Sequence, residues 1–309
     1  MTVTRAAKAM DAKDWALLFL LAVLWGGAFF FAGVAVRELP PLTVVLARVA
    51  LAATTLLPLY FYLGYALPRS VSSWLPFFGM GLLNNAIPFA FIFAGQVHIS
   101  IGLSSIINAI TPLFTIVVMA VFREEPLTTY RIIGVVLGIG GVAALHGVDG
   151  GGIDGGQTLG IALCLSGALS YGFAALWGRR HLADVPPLKS ATCQLICSTM
   201  VMALVAAFVD RPWSLDFPSW TVVLSLFALA VFGTAIAYVV FFQILVRAGA
   251  SNVMLVTLVI PIVALALAHI FLGELIQLNE VVGAFSIGLG LAFIDGRLID
   301  WIRRRPAAS

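Results

Sequence analysis

The sequence has little charge. Only 10% of its 309 residues are Asp, Glu, Lys or Arg, whereas 61% are hydrophobic. A soluble globular chain is about half apolar and about a quarter charged, so this balance excludes a water-soluble fold. A membrane-spanning helix needs roughly 20 mostly apolar residues, so the apolar content suffices for nine or ten spans and leaves no large soluble domain.

Residue types that catalyse reactions or bind metals are also scarce. The chain has three cysteines and four histidines, and Cys164, Cys193 and Cys197 lie in apolar runs without metal-ligand or disulfide spacing. The sequence contains no nucleotide-binding loop, Ser/His/Asp set or metal-ligand cluster, so we expect no cofactor and no metal. Basic residues stand singly or in short clusters beside apolar runs, which argues against a nucleic-acid partner.

Apolar runs bounded by charge, proline or glycine predict ten transmembrane helices. Their predicted bounds are 15–36, 42–65, 74–96, 99–122, 130–146, 158–180, 188–209, 219–246, 250–272 and 278–301. Most connections are short, so consecutive helices must be antiparallel neighbours. The exception is a linker rich in Gly and Asp at 147–157, which divides the chain into two predicted domains, 1–146 and 158–309.

Motifs repeat between these two halves. Residues 38–42 (ELPPL) match residues 184–188 (DVPPL) at an offset of 146, which also aligns Trp25 with Tyr171. A later offset of 149 pairs Pro112 with Pro261, Glu125 with Glu274, Gly134 with Gly283, and Gly141 with Gly290. Because five helices per repeat is an odd number, the second copy must enter the membrane upside down. The predicted fold class is an all-α integral membrane protein whose ten transmembrane helices form two inverted five-helix repeats, an architecture common among secondary transporters.

Lys and Arg predict the orientation of these helices. With the N-terminus inside, fourteen of the 17 basic residues fall on the inner side and only Arg37 and Arg211 on the outer side. Because inner loops of membrane proteins are enriched in positive charge, we expect both termini in the cytoplasm.

These motifs together resemble the ten-helix EamA-type exporters of the drug/metabolite transporter superfamily. The resemblance rests on Trp25-Gly26-Gly27, Leu46-Ala47-Arg48, Ser104 through Asn108 to Pro112, Glu124-Glu125-Pro126-Leu127, Ala248-Gly249-Ala250, Leu258 to Pro261 and Phe271-Leu272-Gly273-Glu274. It covers both halves and implies a bacterial inner-membrane permease that moves small metabolites, often amino acids or related compounds, outward.

Polar and amphipathic residues within the spans are the candidates for substrate binding. They are Trp25, Arg48, Asn84, Asn85, Asn108, Tyr171, Gln194, Tyr238 and Thr257. A carboxamide in hydrocarbon has four hydrogen-bonding sites to satisfy, which favours a wet cavity. The alternative is that these groups only join helix to helix, and that the two aromatic symmetry mates, Trp25 and Tyr171, only pack against neighbours.

Arg48 is the only basic residue well inside a predicted span. An arginine at mid-helix costs roughly 2.5 to 3.5 kcal/mol on insertion scales, so its presence needs a reason. Either it binds an anionic group of the substrate, or it snorkels to the outer headgroups or reaches Glu38. Its symmetry mate is the neutral Gln194. All 14 carboxylates lie in loops or near span ends, which predicts transport that is uncoupled, or coupled through an unidentified polar group.

Pro112 and Pro261 are the candidate hinges for gating. A proline frees the carbonyl four residues earlier, here those of Asn108 and Thr257, and kinks or loosens its helix. The alternative is a static kink that only improves packing. Gly134 and Gly138 form a GxxxG pair that allows close helix contact, either within a repeat or between protomers.

The leading interpretation is a secondary transporter or facilitator that exports a small neutral, zwitterionic or anionic metabolite by alternating access. The alternatives are an integral membrane enzyme acting on lipid-linked substrates, and a non-transporting assembly or sensor subunit. The expected partners are a small-molecule substrate and the lipid bilayer, and the chain is expected to be a monomer or a homodimer.

Overall fold

The computed structural model describes residues 10–145 and 155–295, and this part of the chain contains helices and no strand. Most of the predicted linker at 147–157, the first basic residues and the C-terminal basic cluster lie outside the described residues.

Ten apolar helices of at least 17 residues follow one another in the part of the chain that the structure describes. They are α1 Ala12–Ala35, α2 Pro41–Tyr62, α3 Val71–Gln96, α4 Ile101–Val121, α5 Thr129–Leu145, α6 Gly155–His181, α7 Pro187–Val209, α8 Trp220–Ala248, α9 Val256–Leu272 and α10 Leu278–Asp295. Seven of them are long and apolar enough to cross a membrane, and α5, α9 and α10 are apolar but shorter. The predicted all-α fold of ten apolar helices is confirmed. Helix α6 begins slightly earlier than expected, within the predicted linker.

The repeated Pro-Pro motif starts the same helix in each half. Helix α2 begins at Pro41 and α7 at Pro187, each directly after another proline. A proline suits the first helical position because its φ is already fixed near the helical value and its missing N–H would be unpaired there anyway.

The most extensive helix contacts are preserved when the two halves are exchanged. Helix α1 packs against α9 as α6 packs against α4, and α3 packs against α6 as α8 packs against α1. Helix α2 packs against its own counterpart α7, and α5 against its counterpart α10. This is the pattern of two five-helix units related by an approximate two-fold axis.

Glycines bring α5 and α10 into backbone contact. A Cβ on Gly290 would lie 2.6 Å from the carbonyl oxygen of Gly134, and one on Gly141 would lie 2.9 Å from that of Gly283. Small residues permit such close approach between membrane helices. The GxxxG segment therefore joins the two repeats of one chain, which is neither of the two arrangements considered from the sequence.

Helices α3 and α8 each contain a π-helical segment, Leu82–Ala86 in α3 and Val231–Ile236 in α8. The two segments begin 149 residues apart, at the same offset that pairs the repeated motifs. A π-bulge inserts an extra residue into a helix turn and is frequent at functional sites. Both repeats thus change helical geometry at equivalent positions.

The interruptions near the two prolines differ from the symmetric expectation. Helix α4 has a turn at Ala109 and Ile110, just before Pro112. Helix α9 runs through Pro261 without interruption, and the turn of the second repeat comes earlier, after the short helix Ala250–Val253. The two repeats differ in the backbone before the proline, because the second repeat already leaves helical geometry at Met254.

Candidate functional site

Arg48 lies inside the helix bundle. It follows the first residue of α2 by seven positions, or about 10 Å of helical rise, and it is only 7% exposed. Its Nε donates to Thr234 Oγ1 at 2.9 Å. The guanidinium carbon lies 3.6 Å from the centre of the Phe89 ring and 5.6 Å from that of Phe93, so the charge stacks on an aromatic face.

Glu38 does not reach Arg48, which corrects one alternative drawn from the sequence. Its carboxylate accepts hydrogen bonds from Ser219 N at 2.8 Å and Ser219 Oγ at 2.7 Å. These two bonds hold the pKa of Glu38 below its usual value. Glu38 therefore ties the loop between α1 and α2 to the start of α8.

Thr234 can accept from Arg48 because its own proton is directed elsewhere. The hydroxyl lies in the π-helical segment of α8 and donates to the carbonyl oxygen of Leu229 at 3.0 Å. A threonine hydroxyl has one donor and two acceptor lone pairs, so its oxygen remains free to accept. The altered helix geometry thus fixes the orientation of the group that holds Arg48.

A network of neutral polar groups crosses the interior between α3, α7 and α8. Asn84 Nδ2 donates to Gln194 Oε1 at 3.1 Å and to the Tyr238 hydroxyl at 3.3 Å. That hydroxyl donates to Asn85 Oδ1 at 3.0 Å, and Asn85 Nδ2 donates to Ser198 Oγ at 3.4 Å. We call these residues together with Arg48, Thr234 and Phe89 the central cluster.

The central cluster follows the approximate two-fold symmetry. Gln194 follows the first residue of α7 by seven positions, as Arg48 does in α2. Arg48 bonds to a residue of the π-helical segment of α8, and Gln194 to one of the π-helical segment of α3. The site is therefore built jointly by both repeats.

Aromatic side chains surround this cluster. The rings of Trp25 and Phe241 lie 5.5 Å apart, those of Phe241 and Phe242 5.3 Å, and those of Phe242 and Tyr238 6.2 Å. Tyr171 packs against the same hydrophobic core as Tyr238, and both phenols are within electrostatic reach of Arg48.

Neither Thr257 nor Asn108 makes a hydrogen bond to the central cluster. The Thr257 hydroxyl donates to Met254 O at 2.7 Å, in its own helix segment. The freed carbonyl of Asn108 accepts from the Thr111 hydroxyl at 2.7 Å. The side-chain oxygen of Asn108 is buried and has no hydrogen-bond partner among the described residues.

Ion pairs join helix ends on the side predicted to be cytoplasmic. Glu124 pairs with Arg180 at 2.7 Å and Glu125 with Arg179 at 2.9 Å, which links the end of α4 to the end of α6. Arg247, near the end of α8, pairs with Asp14 in the first turn of α1 at 2.8 Å. At this end the two repeats are thus connected by charge.

A surface cavity of about 450 Å³ lies at the opposite end. Glu274 and Glu280 line it and accept hydrogen bonds from the start of α4, Glu280 from the Ser100 hydroxyl at 3.1 Å and Glu274 from Ile101 N at 3.4 Å. This cavity is separate from the central cluster.

The sequence reasoning missed three residues of the central cluster as binding candidates, namely Phe89, Ser198 and Thr234. A signal for Phe89 was present, because the 149-residue offset pairs it with Tyr238. A signal for Thr234 was its position four residues before Tyr238, which places both on one helix face. Ser198 likewise follows Gln194 by four residues.

Comparison with known proteins gives consistent matches along the chain. The model of the EamA-like transporter family matches residues 14–146 and 158–295. A transporter of Archaeoglobus fulgidus is 26% identical over 287 residues, which cover 91% of this chain and 98% of that protein. A protein of Escherichia coli K12 named "Probable amino-acid metabolite efflux pump" is 27% identical over 294 residues, 91% of this chain and 94% of that protein.

One solved crystal structure has a similar fold. It superimposes with a TM-score of 0.66 and 18% sequence identity, over 94% of this chain and 99% of that one. At this identity the match supports the fold alone.

Proposed function

Since the chain belongs to the EamA-like transporter family, we propose that it exports a small metabolite across the bacterial inner membrane by alternating access. The substrate is an amino acid or a related neutral, zwitterionic or anionic compound, and both termini lie in the cytoplasm. The chain is a membrane transporter and not an enzyme acting on lipid-linked substrates, because its family and its relatives are transporters.

The central cluster is the observation that carries this proposal. Polar groups that served only to join helices would not need to come from equivalent positions of both repeats. In transporters built from inverted repeats, substrate sites lie near the bilayer midplane where the repeats meet. Asn84, Tyr171, Tyr238 and Trp25 are only half-buried, so part of their surface is open to a ligand or to water.

Unequal interruptions in α4 and α9 support the alternating step. The turn before Pro112 lies about midway along α4, whereas the turn of the second repeat lies close to the start of its helix. In an alternating mechanism the two repeats exchange roles as the site opens to opposite sides. Pro112 and Pro261 remain our proposed hinges, with Asn108 and Thr257 supplying the carbonyls that proline leaves without an amide partner.

A counterflow screen in proteoliposomes tests this function. The purified full chain is reconstituted and assayed against amino acids, organic acids, nucleosides and cationic dyes, with protein-free liposomes as the blank. We expect saturable exchange of an amino acid or organic acid. Exchange should fall at least tenfold in Asn84→Ala and persist in Ser166→Ala, whose exposed hydroxyl bonds only to its own helix. If none of these compounds is exchanged, the proposal is refuted.

A further inference from the structure

Arg48 carries a charge that no group of the described protein neutralises. Its Nε donates to the neutral Thr234, and its side chain forms no ion pair within residues 10–145 and 155–295. Its two terminal nitrogens make no hydrogen bond to a described residue, although together they offer four N–H groups in a planar fork. This fork is the geometry that binds a carboxylate through two parallel hydrogen bonds.

The buried carboxylates of the described part lie elsewhere and have their own partners. Asp14 is paired with Arg247 at 2.8 Å. Glu280, in the first turn of α10, accepts from Ser100 Oγ at 3.1 Å and from Gln277 N at 3.2 Å. The central cluster therefore has an excess charge of plus one, because its other members are amides, hydroxyls and rings.

The excess charge favours a ligand whose own net charge is minus one. A monoanion would neutralise Arg48, since two opposite charges in a low-dielectric interior attract strongly when they are also hydrogen-bonded. A zwitterion would place an ammonium group in the same interior without a carboxylate of the protein to receive it. An unpaired buried charge is costly, so zwitterions are selected against.

The side chains around Arg48 also indicate the chemistry of the rest of the ligand. Phe89 and Phe93 lie under the guanidinium, and Tyr238 continues into Phe242. Aromatic side chains of this kind bury the apolar part of a ligand. The fitting ligand has one carboxylate and one apolar portion.

We propose that the central cluster binds amphipathic monocarboxylates as anions and that the protein exports them electrogenically, driven by the membrane potential. This inference rests on the transport function proposed above and names its substrate class and driving force. No carboxyl or imidazole group belongs to the cluster to carry a proton together with the anion. Each exported molecule then moves one negative charge outward, which an inside-negative potential favours.

The size of this driving force follows from the charge. One elementary charge crossing 100 mV changes the equilibrium concentration ratio about 50-fold. The potential alone therefore sustains export against a gradient, and a pH gradient is not required. This accounts for the lack of acidic residues within the central cluster.

The test uses three compounds of similar shape and different charge. N-acetylphenylalaninate is a monoanion, phenylalanine a zwitterion and N-acetylphenylalaninamide neutral. Proteoliposomes containing the full chain are loaded with each compound, and potentials of either sign are imposed with potassium gradients and valinomycin. An inside-negative potential should accelerate efflux of the anion and an inside-positive potential should slow it. Efflux of the amide should not respond, and at a fixed potential the anion rate should be the same whether the buffers on the two sides of the membrane have equal or different pH.

Variants connect this behaviour to Arg48. Arg48→Gln copies the residue at the symmetry-related position and should weaken binding of the anion at least tenfold, with binding of the amide changed less than twofold. Retained amide binding also shows that the variant is folded. Arg48→Lys keeps the charge and should restore part of the anion binding, and the exposed loop variant Arg37→Gln should behave like the wild type.

The outcomes separate this inference from the transport function. Three outcomes would overturn the inference and leave the transport function intact. They are transport of phenylalanine in preference to the anion, an anion rate that does not depend on the imposed potential, and equal loss of anion and amide binding in Arg48→Gln. If none of the three compounds is transported, the inference is overturned. The counterflow screen then decides the transport function independently.

Discussion

The seam between α5 and α10 allows a sharp stability prediction. A Cβ on Gly290 would lie 2.6 Å from Gly134 O and 3.2 Å from Gly138 N, whereas ordinary contacts begin at 3.4 Å. Gly290→Ala must therefore part the two backbones by about 0.8 Å, and overpacking of this kind costs roughly 1 to 3 kcal/mol. In the same helix, a Cβ on Gly288 would meet only Leu258 Cδ2 at 3.8 Å.

The matched control, Gly288→Ala, should change stability in the opposite direction. Alanine is favoured over glycine within a helix by about 1 kcal/mol, and an ordinary contact imposes no strain. Both variants are measured by thermal unfolding in one detergent, followed with a thiol-reactive dye that labels the three buried cysteines, Cys164, Cys193 and Cys197, as they become exposed. Equal shifts of the melting temperature in both variants would show that close backbone approach at Gly290 does not stabilise the fold.

Three further predictions concern topology, gating and pH. Single cysteines at Glu125 and Glu274, in a background without other cysteines, should label from opposite sides of the membrane, and labelling from one side contradicts the inverted repeat. Pro112→Ala and Pro261→Ala should slow transport with substrate affinity kept and shift inward and outward accessibility in opposite directions; wild-type rates in both would remove the hinge proposal. Because its folded-state pKa is lowered, Glu38 stabilises the protein at pH 7 and loses this effect as the pH falls through that pKa. Glu38→Gln should therefore lower the melting temperature at pH 7, and this deficit should shrink as the pH is lowered through the titration of Glu38; a deficit that does not change with pH would contradict this.

The ten helices could be predicted from the sequence because hydropathy distinguishes segments that lie in lipid from segments that lie in water. A run of about 20 apolar residues has few alternatives to a membrane helix. The relation between the two repeats could also be predicted, because Pro112 and Pro261 have the same spacing from the following glutamate in both halves. These signals are local or periodic, and neither needs knowledge of which helices touch.

The hydrogen-bond partner of the Arg48 side chain could not be predicted in this way. The sequence allowed a contact with Glu38, ten residues earlier and near the same membrane face. The observed partner Thr234 is 186 residues away, and its hydroxyl donates to Leu229 O within a π-helical segment. Nothing in residues 231–236 distinguishes a π-helix from an α-helix by composition, because both present an apolar run.

The approximate symmetry itself explains why only one repeat carries the charge. Arg48 and Gln194 occupy equivalent positions of α2 and α7, and these two helices pack against one another. An arginine in both positions would place two like charges in helices that pack against one another, in a medium of low dielectric constant. Such pairs strongly disfavour ionisation of both members. The neutral side chain of Gln194 at one of the two positions avoids this repulsion and leaves a single positive charge. In the mechanism proposed above, the duplicated scaffold provides two equivalent routes of access to one site, and the charge of that site selects the ligand.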